Sequence, residues 1–144
     1  MGRLMKTLLP IAAEELVPHR LPMRLIERLV EIDGKNGTVE ARIAADCPLV
    51  SRAGKLEDVA LIELMAQAYA AVKGYADRLE AKPVRQGFLV GIKKLVRLQS
   101  VQAGDLLHIN IRTLVELDDF SVAAGEIWCD DQLIAEGEIK VWVH

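Results

Sequence analysis

One segment constrains this chain more than any other: from Val59 to Val72 it carries almost nothing but apolar side chains, drawn from residues that favour helix. Ala, Leu, Met, Glu and Gln are strong helix formers, which predicts a helix from Glu57 to roughly Leu79. Asp58 is placed to cap it, and Glu57 or Asp58 suits its positive end. Gly74 marks either a late break or a point of close packing. A helix on a protein surface shows a charged stripe, and this one is apolar on nearly every side, so it must be enclosed.

The remaining segments read as strands. Val39, Ala41, Ile43 and Ala45 alternate with Thr38, Glu40, Arg42 and Ala44, the period-two pattern of a half-buried strand over 37–46. A preceding strand over 23–32 is joined to it by Asp33 to Gly37, which contains the turn signals Asp-Gly and Asn-Gly. Leu107, Ile109, Ile111, Thr113 and Val115 define another inward face. Residues 119–129 and 132–143 form a pair around Asp130 to Gln132, and 87–98 reads as one more strand, ending before Ala103 to Asp105. The expected fold is α+β: a long central helix wrapped by a curved antiparallel sheet of five to six strands. No repeat, low-complexity run or linker interrupts the chain, so residues 1–144 are expected to form one domain.

Composition narrows the function classes. A net charge of -3 offers no electrostatic reason to bind nucleic acid. No stretch approaches the ~20 apolar residues of a membrane span. The amino-terminal run from Met1 to Leu9 has basic residues before a short apolar stretch. Pro10 interrupts it and Glu14 and Glu15 follow, unlike a secretory leader. Cys47 and Cys129 lie far apart with no CxxC spacing, and there are three His. No metal site, disulfide framework or cofactor is expected, and reduced thiols fit a cytoplasmic protein.

Within 59–72, Glu63 and Gln67 alone carry strongly polar groups. Four apart, they stack on one helix face. Burying an unpaired carboxylate is very costly. Glu63 therefore either lies in a satisfied internal network with Gln67 or a backbone amide, or faces a pocket as a functional group.

At this helix the sequence resembles a known family. The run from Ala60 to Gln67 resembles the helix signature of hotdog 3-hydroxyacyl-acyl-carrier-protein dehydratases. The segment from Pro18 to Arg28 looks like their opening PHRxPxLLxDR block, and Gly91-Ile92 followed by Gly104-Asp105 matches their GI…GD block. The three blocks keep the family's order from about residue 17 to 143.

The resemblance implies a hotdog fold and a dimer with acyl-thioester tunnels near the subunit interface. Each site pairs a loop His with a helix carboxylate from the partner subunit. The His takes the proton next to the thioester carbonyl, the carboxylic acid helps the hydroxyl leave as water, and a backbone N–H at the helix start polarises the carbonyl. Glu63 falls on the carboxylate position. The family's GHFPG loop is replaced by Cys47 to Arg52, and its His position holds Leu49, which cannot accept a proton. The helix-start glycine is replaced by Asp58, whose charge would oppose a developing oxyanion. By the same resemblance, Gln67, Leu49, Asp58 and Gly91 are candidate substrate-binding residues. His19 belongs to the opening block, where the family's His is not its base, and is retained as a weaker catalytic candidate. His108 and His144 are poor candidates.

The pattern is similar to the His-lacking dehydratase-like proteins of aryl-polyene gene clusters. The chain is therefore expected to bind an acyl thioester as a degenerate dehydratase homologue, as a homodimer or with a complete dehydratase. The alternatives are an active dehydratase with another base, or an acyl thioesterase in which Glu63 activates water. The thioester would arrive on acyl carrier protein or coenzyme A. Arg20, Arg24, Lys93, Lys94 and Arg97 could steer an acidic carrier or form an ordinary solvated surface.

Overall fold

Alternating segments and the apolar rod assemble as one sheet around one helix. The computed structural model describes residues 9–83 and 87–143. The amino-terminal run before Leu9, read above as no leader, and His144 lie outside the described residues. The chain forms β1 (Ile11–Ala12), a single 3-10 turn (Ala13–Glu15), β2 (Arg28–Asp33), β3 (Asn36–Arg42), α1 (Asp58–Leu79), β4 (Gly87–Arg97), β5 (Leu106–Leu117), β6 (Phe120–Cys129) and β7 (Gln132–Val143). The strands make a seven-stranded sheet in the order β1-β2-β3-β5-β6-β7-β4. Every neighbouring pair is antiparallel. The chain leaves the sheet after β3, runs through α1 and re-enters at the far edge as β4.

The alternation read from the sequence sets which side chains meet the helix. Val39, Ala41, Leu107, Ile109 and Ile127 are fully buried against Leu61, Leu64, Met65 and Tyr69 of α1. The pattern in β5 holds through Ile111 and then fails. A register shift between Thr113 and Val115 turns Val115 outward. Gly37 faces α1 so closely that a Cβ there would lie 2.9 Å from Val72 Cγ2.

Several expectations need correction. The sheet has seven strands rather than five to six, because the two residues of β1 are too short to show alternation. β2 begins at Arg28, not at residue 23, because the segment before it is hydrogen-bonded to the helix instead of the sheet. The turn between β2 and β3 uses Gly34 and Lys35, with Gly34 at φ +61°, so Asn36 and Gly37 already belong to β3. That strand ends at Arg42, which leaves Ala45 exposed. Asp58 is not the cap of α1. Glu57 holds that position in extended conformation, with no side-chain hydrogen bond to the helix.

The rod is also not enclosed on all sides. Val59 is 54 % exposed, and Ile62, Glu63, Ala66, Ala70 and Lys73 are partly exposed, forming one strip at helical spacing. β4, the last strand of the sheet, exposes Phe88, Leu89, Val90 and Ile92 on both of its faces. It is also kinked. Its register with β7 shifts between Lys93 and Val96, Lys94 adopts φ +57°, and Leu95 covers Gly137. Cys47 and Cys129 are free thiols. Burial pushes the Cys129 thiol up, and the charges of Asp105 and Asp130 add to that. No helix among the described residues is long and apolar enough to cross a membrane.

Gly74 does not break α1; it is a contact point. A Cβ at this position would collide with the carbonyl oxygen of Leu16, just after the 3-10 turn. Helix propensity alone favours Ala over Gly by about 1 kcal/mol. Overpacking reverses the sign here, so Gly74→Ala is expected to lose about 1–3 kcal/mol in urea denaturation.

Candidate functional site

The site is built outward from Gln67, whose side chain is fully buried. Its Oε1 accepts the Leu25 backbone N–H at 2.7 Å. Its Nε2 donates to the Met23 carbonyl at 2.8 Å and to Glu63 Oε1 at 2.8 Å. One amide thus holds the 19–25 segment against α1 and fixes one oxygen of Glu63. The helical spacing of four makes the Gln67–Glu63 contact possible.

Glu63 is bonded internally and also faces open space. Its side chain is 39 % exposed. It lines a groove of about 240 Å³, together with His19 and the partly exposed Ala66 and Ala70 of α1. Phe88 and Leu89 at the start of β4 form the opposite wall. Lys73 and Asp77 stand at the end farthest along the helix. His19 Nε2 is 3.9 Å from Glu63 Oε1, too long for a hydrogen bond but within ion-pair range when the imidazole is protonated. Its Nδ1 is buried and has no hydrogen-bond partner.

The other sequence candidates lie elsewhere. The Leu49 carbonyl accepts the Glu57 N–H at 2.9 Å, so the Leu49 loop is tied to the start of α1. Asp58, the first helical residue, meets Arg97, whose Nε lies 2.7 Å from Asp58 Oδ1. The carboxylate at the helix start is therefore answered by a guanidinium. Gly91 sits in β4 opposite Lys140, and a Cβ there would touch the Lys140 stem at 3.3 Å. Leu49, Asp58 and Gly91 are not part of the groove wall around Glu63, and Gln67, expected to bind substrate, is fully buried and does not line the groove either. Of the basic residues, Arg24 lies 3.7 Å from Glu14 and Lys94 3.8 Å from Glu138, so both are engaged within the chain. His108 sits 3.4 Å from Glu40 on the outer face of the sheet. Among the described residues, no group of three or more His, Cys, Asp or Glu side chains is placed to hold a metal ion.

Sequence reasoning did not single out Lys73, Phe88 or Leu89. The helical members had a usable signal: residues 63, 66, 70, 73 and 77 recur every three or four positions on the side of α1 that carries Glu63. Phe88 and Leu89 had none, because the return of β4 to this helix is a tertiary event.

Gln67 and Glu63 are expected to separate in stability measurements. Gln67→Ala leaves the Leu25 N–H and the Met23 carbonyl without their partner and should cost about 2–4 kcal/mol in urea denaturation. Glu63→Gln, at a half-exposed position, should stay within about 0.5 kcal/mol of the parent.

The profile of the ApeP-like family, described as ApeP dehydratase, matches residues 11–144. The 3-hydroxyacyl-[acyl-carrier-protein] dehydratase FabZ of Methylobacterium radiotolerans is 31 % identical over 133 residues, 88 % of this chain and 83 % of that protein. FabZ of Natranaerobius thermophilus is 27 % identical over 130 residues, 88 % of this chain and 90 % of that one. Among solved structures, the dehydratase heterocomplex ApeI:P from Xenorhabdus doucetiae superposes with a TM-score of 0.87 at 22 % identity, over 93 % of this chain and 91 % of that one. At that identity the superposition speaks for the hotdog fold, whereas the profile match spans nearly the whole chain. The chain belongs to the ApeP-like dehydratase family.

Proposed function

We propose that this chain is the member of a dehydratase pair that lacks the loop histidine, binding a 3-hydroxyacyl thioester and supplying Glu63 to a site completed by another hotdog chain. The observation that carries this reading is the separation of the two half-sites. Glu63 faces the groove, while the loop position where the family carries its base holds Leu49 at the start of α1, outside the groove wall. A homodimer of this chain would have Leu49 at both loop positions and no loop base. A partner that retains the His would place it against Glu63 of this chain.

In that arrangement the partner's histidine removes a proton from C2 of the thioester. Glu63, as the carboxylic acid, gives its proton to the C3 hydroxyl, which leaves as water as the C2–C3 double bond forms. The Gln67 amide keeps the Glu63 carboxyl in place. The face left bare in one chain supports the pairing: the unpaired edge of β4 and the apolar strip of α1 both suit a second hotdog chain. The X. doucetiae relative is itself a heterocomplex. The thioester would be delivered on acyl carrier protein or coenzyme A. Two free, half-buried thiols fit work in the cytoplasm.

The test is dehydration of a 3-hydroxyacyl-pantetheine by the chain alone and after co-expression with a His-containing dehydratase homologue. The pair is expected to be active and the chain alone inactive. Glu63→Gln in this chain should lower the activity of the pair by about 10²–10⁴-fold, the usual share of general acid–base catalysis. An unaffected pair would overturn the reading. The 3.9 Å approach of His19 to Glu63 favours a second reading, in which one chain carries its own base. Activity in the isolated chain that disappears with His19→Asn would establish it.

A further inference from the structure

We propose that Lys73 is the end stop of the groove and sets the longest acyl chain it accepts; this rests on reading the groove as the thioester site. Two cavities adjoin at this residue. The groove beside Glu63, of about 240 Å³, and a second cavity of about 140 Å³, lined largely by charged side chains including Lys35, Glu80 and Glu116, share Tyr69, Lys73 and Asp77 as a common wall. Tyr69 and Asp77 are core positions, each 2 % exposed. Lys73, whose side chain is 18 % exposed, is the part of the wall that can be trimmed without opening the core.

The Lys73 side chain is anchored. Its Nζ lies 3.5 Å from Asp77 Oδ1 and 3.6 Å from Glu116 Oε1, and Glu116 is in turn 3.3 Å from Lys35 Nζ. A long lysine held at its tip by two carboxylates forms a fixed partition between the cavities. It stands ten residues beyond Glu63, about 15 Å along the helix axis at 1.5 Å per residue. An apolar chain that grows past this point must displace the aliphatic stem and press against a charged group, which is unfavourable. Removing the side chain beyond Cβ joins the two spaces.

Binding of even-numbered acyl-pantetheines, from butanoyl to hexadecanoyl, to the full chain in its native oligomer tests the stop. Wild-type affinity should rise with chain length and then break off at a limit. In Lys73→Ala the limit should move to longer chains. A ligand two carbons past the wild-type limit should bind about tenfold tighter, its last two methylenes filling the space that the lysine stem vacates. Lys73→Met, which keeps the length but loses the charge that anchors the tip, should move the limit less far than Lys73→Ala. Lys73→Ala leaves the buried Asp77 without its ammonium partner, so Lys73→Ala with Asp77→Asn serves if the single variant melts early. An unchanged limit in the folded Ala variants, or a Met variant that shifts as far as Ala, overturns the stop while leaving the proposed function standing. A wild-type protein that binds no acyl-pantetheine of any length overturns the proposed function and the stop together.

Discussion

The buried amide of Gln67 is the interaction on which the site depends. Both of its polar atoms are used, one by the Leu25 N–H and the other by the Met23 carbonyl and Glu63. A neutral amide suits this position because it can donate and accept without the desolvation cost of a charge. It converts a loop that cannot pair with the sheet into a fixed wall, and it gives the neighbouring carboxyl a defined orientation. The late start of β2 is the backbone counterpart of that attachment, since Met23 and Leu25 cannot serve both the helix and a ladder.

The fold was legible where periodicity is strong and local. The helix announced itself because fourteen residues with almost no polar group leave few other solutions, and its observed span, Asp58–Leu79, follows. The inward faces of β3 and β5 followed from alternation until the bulge after Thr113 changed the parity. β1 could not be seen, because two residues carry no period. The site was half legible. Glu63 and Gln67 stood out as polar groups in an apolar run. The meeting of His19 with Glu63 joins residues that are distant in sequence, and the wall from β4 depends on a crossover. Helical spacing puts Lys73 on the Glu63 side of α1, but the two cavities that meet at it are a tertiary feature. Full enclosure of α1 was the expectation that physics did not support, since a single sheet curls around most of a rod and leaves a strip uncovered.

The groove and the start of α1 have different characters. At the groove, an ionisable group faces open space with a histidine beside it. At the start of α1, the Glu57 N–H is taken by Leu49 and the Asp58 carboxylate by Arg97. In the proposed pair, this asymmetry means that each assembly would carry one productive site, made from the carboxyl of one chain and the base of the other. In the proposed pair the fold would stay intact although this chain brings no loop base, since Leu49 packs at the margin of the core and Asp58 pairs with Arg97.

The kink in β4 has a consequence for how such chains can stack. An open outermost strand with greasy residues on both faces is a template on which copies could add without end. Lys94 in a left-handed conformation and the slip between Lys93 and Val96 interrupt the row of backbone groups partway along that edge. An incoming strand can zip along a short straight stretch and then loses its partners. The same irregularity that twists the sheet's last strand therefore favours a closed assembly over a growing fibre.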